Sequence, residues 1–155
     1  MVFGSKLIGR LKGRVNSEVR FTSDLREQRE AAAIIKSRFG RRAQGDPMSL
    51  MESYPPLVAV KDGKVIGTIF YRQNEKMLEV EGIATSRWHE GRGVGGQLLD
   101  GIVAHAKSTN CTHIILKGNT RARTELFAAY AAKRGLEAMN DVSDRKATTT
   151  YIKLK

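Results

Sequence analysis

One cysteine in 155 residues, Cys111, excludes an internal disulfide and suits a reducing compartment. Three scattered histidines beside that single thiol have no metal-ligand spacing, so no metal centre is expected. No apolar run approaches the ~20 residues that a membrane-spanning helix needs. The first fifteen residues, MVFGSKLIGRLKGRV, mix bases and apolar residues without a continuous apolar segment or a small-residue cleavage site, and a cytoplasmic chain is expected. Internal repeats and low-complexity tracts are also missing. What is left is the profile of one soluble domain, long enough to bury a core.

Acidic charge is scarce too. The net charge is +11, and residues 1–45 carry eleven Lys/Arg against four Asp/Glu, which is +7 and leaves +4 for the other 110 residues. Such a basic third is either a solvated face or a contact for an acidic partner, nucleic acid first. Lys6, Arg10, Lys12 and Arg14 fall among Phe3, Leu7, Ile8 and Leu11. Gly4, Gly9 and Gly13 each cost up to about 1 kcal/mol of helix stability, so residues 1–16 are expected as a basic extension that orders only against a polyanion. Affinity for RNA or DNA should then fall steeply with salt in the full chain and less steeply in a chain starting at Asn16. Equal affinities and equal salt slopes would reduce the extension to a solvated tail.

Residues 17–155 form the expected domain. Glu18–Thr22 alternates as a short strand. Ser23 or Asp24 caps a helix over LREQREAAAIIKSRF, with Glu27 placed for a capping box and an apolar stripe through Leu25, Ala32, Ile35 and Phe39. One helical turn is expected around Ser49 to Tyr54. LVAVKDGKVIGTIFYR reads as two strands turning at Asp62-Gly63. MLEVEGIAT alternates as a third strand beside them. A helix follows from Gly95 or Gly96, carried by Leu98, Leu99, Ile102, Val103 and Ala106. His113–Lys117 is a buried strand, Thr124–Lys133 a helix closed by Gly135, and TTTYIKLK a last strand. The fold class is α/β, a mixed sheet with an antiparallel first half.

Between the third of those strands and its helix lies GRGVGG, Gly91 to Gly96. Bare N–H groups and a helix dipole meet there, which suits a phosphate. A Walker loop needs Lys then Ser/Thr after its last glycine, and Gln97-Leu98 excludes it. The dinucleotide pattern is met by Gly91, Gly93 and Gly96, but an antiparallel hairpin precedes it and Lys117 stands where the ribose-binding acid belongs. The third reading fits better. Ile83-Ala84-Thr85 followed after four residues by Glu90-Gly91-Arg92-Gly93-Val94-Gly95 and a helix resembles the acetyl-CoA loop of the GNAT superfamily of N-acetyltransferases. The hairpin resembles that family's second and third strands and ELFAAYAAKRGLE its fourth helix, so the resemblance spans roughly residues 18–155.

The resemblance implies a GNAT-like single domain that transfers an acetyl group from acetyl-CoA to an amine on a protein, an aminoacyl-tRNA or a small molecule. It implies contacts to acetyl-CoA from backbone at Ile83, Ala84 and Thr85, from Gly91, Arg92, Gly93, Val94, Gly95, Gly96 and Gln97, and from Asn119. A glutamate on the fourth strand, Glu79 or Glu81, is implied as the base, and alternation puts both on one side with Ile83 and Thr85. The family's acid is often a tyrosine four residues before the glycine. Ala131 holds that place, and Tyr130 is the candidate one residue earlier, about 100° round the helix. Glu90 stands where the family carries Arg or Gln, with Arg92 expected to offset it. Trp88 and His89 precede the loop, where the indole reads as a packing residue before a lining of the cofactor mouth. The two departures and the basic extension keep a second class open: an inactive GNAT-like module for nucleic-acid binding or assembly. A homodimer is compatible with either.

Overall fold

The computed structural model describes residues 16–40, 47–118, 121–144 and 147–154. The basic extension therefore lies almost wholly outside the described residues, as does Asn119. The elements run β1 (Glu18–Phe21), α1 (Leu25–Phe39), α2 (Pro47–Ser53), β2 (Leu57–Lys61), β3 (Lys64–Asn74), β4 (Met77–Thr85), α3 (Val94–Ser108), β5 (His113–Gly118), α4 (Arg121–Lys133), β6 (Glu137–Asp144) and β7 (Ala147–Lys153). The strands form one sheet in the order β1-β2-β3-β4-β5-β7-β6, with β4 and β5 its parallel pair.

Asp62 and Gly63 both take positive φ, 52° and 75°, as the tight turn between β2 and β3 requires. α3 and α4 pack on one face of the sheet, over a core of Leu57, Ala59, Leu78, Val80, Leu116 and Ile152. α1 and α2 lie on the other, over Val58, Val60, Phe70 and Ala84. Gly67 sets the first turn of α3 on β3. A Cβ there would stand 2.8 Å from Val94 Cγ1 and 3.0 Å from Leu98 Cδ1, so only glycine lets the helix come this close.

Three expectations need correction. The apolar stripe of α1 holds at Ile35, which is buried, and at Ala32 and Phe39, which pack against the same core, but Ala31 is buried beside them and Leu25 is 51% exposed. Gly82 of β4 makes room for Ile35, whose Cδ1 would lie 3.2 Å from a Cβ at that glycine. The capping box is only half made. Asp24 accepts from the Glu27 N–H at 2.9 Å, but the Glu27 carboxylate turns inward to Arg20 and Thr22. Finally, the last strand is preceded by β6, which sequence reading missed. EAMNDVSD is rich in turn-forming residues and is exposed from Glu137 to Asp141, and as an edge strand it is held by pairing with β7 rather than by its own propensity.

The Glu27 carboxylate has a measurable consequence. It is 4% exposed and accepts from Arg20 at 2.8 and 2.6 Å and from the Thr22 hydroxyl at 2.6 Å. Those hydrogen bonds, Arg20 foremost, lower its pKa to about 2. A depressed carboxyl stabilises the fold above its unfolded pKa and loses that contribution as pH falls through the folded value. Stability should therefore drop by about 2–3 kcal/mol between pH 5 and pH 2 through this group. Urea midpoints of Glu27→Gln across that range check it: the variant should be weaker at pH 6 and less sensitive to acid. Parallel curves for the two proteins would exclude Glu27 as the source.

Candidate functional site

β4 and β5 pair only from Met77↔His113 to Val80↔Leu116. Beyond that point β5 continues along β7 while Gly82 to Thr85 of β4 pair with β3 alone. A parallel ladder that stops midway leaves a split, with backbone groups of β4 turned into it. The irregularity that opens it is a β-bulge: Phe70 pairs with Gly82 and Tyr71 with Val80, so Glu81 is the extra residue. The bulge also resets the alternation. Glu79 and Glu81 face the α1 side, but Ile83 packs with Leu78 and Val80 against the α3-side core. The expectation that Ile83 shares the side of both glutamates is thereby overturned, because one extra residue shifts the pleat.

The two carboxylates are brought together, each with a cation. Glu79 pairs with Lys117 of β5, and Glu81 with Arg72 of β3 at 3.3 Å. Lys117 feels both glutamates and Arg72, which makes the four side chains one charge cluster beside the split; its hydrogen bond to Glu79 is the main cause of its raised pKa.

At the upper end of β4 the chain makes a 3-10 turn, Arg87–His89, and then the glycine loop. Gly91 and Gly93 take φ of 71° and 84°, and Gly93 caps α3 in the left-handed region without a side-chain hydrogen bond. The first intrahelical bond runs from the Gln97 N–H to Gly93 O at 3.1 Å. The N–H groups of Val94, Gly95 and Gly96 precede it and have no partner within the helix. Gln97 belongs to a different set from that expected: its N–H is inside the helix and its side-chain oxygen accepts from Ser17 at 2.5 Å. A Cβ at Gly95 or Gly96 would meet no protein atom within 4 Å, so the space above the first turn is open.

Two arginines that sequence reading passed over complete the site. Arg38, in the last turn of α1, pairs with Glu90, so the acidic residue at the head of the loop is offset from α1 rather than by Arg92. Arg123 of α4 reaches into the split and donates to Ile83 O at 3.2 Å, with its guanidinium 4.9 Å from the centre of the Phe39 ring. Burial, and then the charge of Arg38, lower its pKa. Each lies more than 35 positions from its partner, and no local pattern marks either.

Tyr130 is buried in the α3-side core. Its hydroxyl donates to Asp100 of α3 at 2.5 Å, and Arg134 grips the same carboxylate at 2.9 and 3.0 Å. Burial, then the Asp100 hydrogen bond, push its pKa well above the usual phenol range. His89 is braced by Ser86 Oγ at 2.6 Å from Nδ1, and burial lowers its pKa. Trp88 contradicts the packing reading, being 86% exposed. Tyr71 lies in the core with Tyr54, Phe21 and His105 around it, their ring centroids within 5.8 Å of its own.

The family profile described as Acetyltransferase (GNAT) family matches residues 20–136. No curated protein sequence matches the chain. Among solved structures it is similar to Ard1 from Thermoplasma volcanium, at TM-score 0.69 and 18% identity over 91% of this chain and 100% of that one. It is similar to yncA from Salmonella typhimurium with its cofactor acetyl-CoA, at 0.65 and 17% over 91% and 94%. It is also similar to diaminobutyrate acetyltransferase EctA from Paenibacillus lautus in complex with L-2,4-diaminobutyric acid and coenzyme A, at 0.70 and 16% over 89% and 96%. At these identities the likeness is one of fold. Among the described residues, no helix is long and apolar enough to cross a membrane.

Proposed function

This chain belongs to the acetyltransferase (GNAT) family, and from that membership we propose that it transfers an acetyl group from acetyl-CoA to a primary amine. The observation that carries the reading is the glycine loop at the N-terminus of α3, open above Gly95 and Gly96 and adjoining the split between β4 and β5. The residues fit the group. Val94, Gly95 and Gly96 offer N–H donors at the positive end of a helix to a pyrophosphate. Gly91, Arg92 and Gly93 shape the approach. Backbone of Ile83, Ala84 and Thr85 lines the split for the amides of the pantetheine arm, and Arg123 holds the Ile83 carbonyl that such an amide would compete for. When bound, acetyl-CoA supplies an acetyl group activated as a thioester.

The chain's own part is to position the amine and take its proton. We assign the proton to Glu79 or Glu81, whose carboxylates share one face beside the split. Tyr130 we assign to the packing of α4 on α3, since its proton is committed to Asp100. We place this activity in residues 17–155, with 1–16 as an extension to it. Calorimetric titration with acetyl-CoA, followed by assay of thiol released in the presence of amine acceptors, tests the reading. Binding with thiol release is expected, and failure to bind would overturn it.

A further inference from the structure

The chain has a single tryptophan, and among the described residues it is the most exposed of the large apolar side chains. An indole carries the largest apolar surface of any side chain and is ordinarily well buried. Trp88 is 86% exposed on a turn that is firmly built. The Ser86 N–H donates to Ile66 O at 2.8 Å, the His89 N–H to Ser86 O at 2.9 Å, and Ser86 Oγ meets His89 Nδ1 at 2.6 Å. The turn is thus fixed by its own hydrogen bonds while the ring stands out. Cations lie along the same turn: Arg87 beside it is exposed, and Lys61 and Arg92 lie close enough to act on His89.

An exposed ring among cations, next to a loop suited to a pyrophosphate, is the combination that recognises a nucleotide base and its phosphates. With the pyrophosphate at the loop, the pantetheine arm would leave it on one side, toward the split. The adenosine would then leave it on the other, where the Arg87–His89 turn leads into the loop. We propose that Trp88 is the platform on which the adenine of coenzyme A stacks. The proposal rests on the acetyl-CoA reading above.

Because Trp88 is the only tryptophan, intrinsic fluorescence reports on it directly. Three probes separate the parts of the ligand: coenzyme A, adenosine 3′,5′-bisphosphate and 4′-phosphopantetheine. Quenching is expected with the first two and not with the third. In calorimetry, Trp88→Ala should weaken coenzyme A by roughly tenfold, leave 4′-phosphopantetheine unchanged, and be largely rescued by Trp88→Phe. Binding of coenzyme A without quenching, and with equal affinity for Trp88→Ala, would overturn the adenine platform while leaving the acetyl-CoA site standing. Equal weakening of coenzyme A and 4′-phosphopantetheine would also overturn it, showing that the residue supports the loop instead. No binding of coenzyme A by the wild-type chain would remove both readings at once.

Discussion

Gly95→Val is expected to raise the dissociation constant for acetyl-CoA at least about a hundredfold, near 3 kcal/mol, while the domain stays folded. Gly95 lies in the first turn of α3, and a side chain added there meets no protein atom within 4 Å. The fold therefore has no packing reason to reject valine, which is also a better helix former than glycine. A ligand phosphate does have one. Two γ-methyls would occupy the space through which an anion reaches the N–H groups of Val94, Gly95 and Gly96. Gly93 is a poorer probe, because its φ of 84° makes any side chain strained, and lost binding there would mix with lost structure. Calorimetry on Gly95→Val beside a thermal melt separates the two effects. A melting temperature close to wild type with unchanged affinity would move the phosphate away from this loop.

The second large effect is expected at the paired carboxylates. Changing both Glu79 and Glu81 to glutamine should lower kcat/KM by about a hundredfold or more, with acetyl-CoA affinity retained. Each carboxylate has a cation close by, Lys117 for Glu79 and Arg72 for Glu81 at 3.3 Å, and both retain partial exposure. An amine arriving on that face would exchange one of those contacts for its own. The single variants divide the roles. The one that abolishes the acidic limb of the pH–rate profile marks the base, and the other should change KM more than kcat. If the double variant keeps the wild-type rate and limb, proton removal occurs elsewhere.

Much of the site was legible in the chain because it is local. Four glycines in six residues followed by Leu98, Leu99, Ile102 and Val103 specify a loop entering a helix, and the structure starts α3 at Val94, one residue before the expected range. α1 begins after its expected cap and spans the expected segment, Leu25–Phe39. Its buried face was read correctly at Ala32, Ile35 and Phe39 but not at Leu25 and Ala31, because the edge of the stripe depends on what lies beneath. Trp88 shows the same limit. Its identity signals a large apolar ring, but whether that ring packs or projects depends on the turn that carries it.

Elements whose preferences come from near neighbours were set by the sequence alone: the Asp62-Gly63 hairpin, the capped helix α1, the glycine loop and the helices and strands around it. Tertiary structure decided everything that required two distant segments to meet. The bulge at Glu81 arises from the register of β3 on β4, and it turns Ile83 to the face opposite Glu79. The split exists because β5 leaves β4 after Leu116 to follow β7. Arg38 reaches Glu90, and Arg123 reaches Ile83, only once α1 and α4 have docked on opposite faces of the sheet. β6 becomes a strand by pairing with β7 at the sheet edge. Local propensity acts over a few residues, whereas register, bulges and cross-element ion pairs are set by packing over the whole sheet; the loop that would hold a phosphate could be read from the chain, and the groups that crowd around it could not.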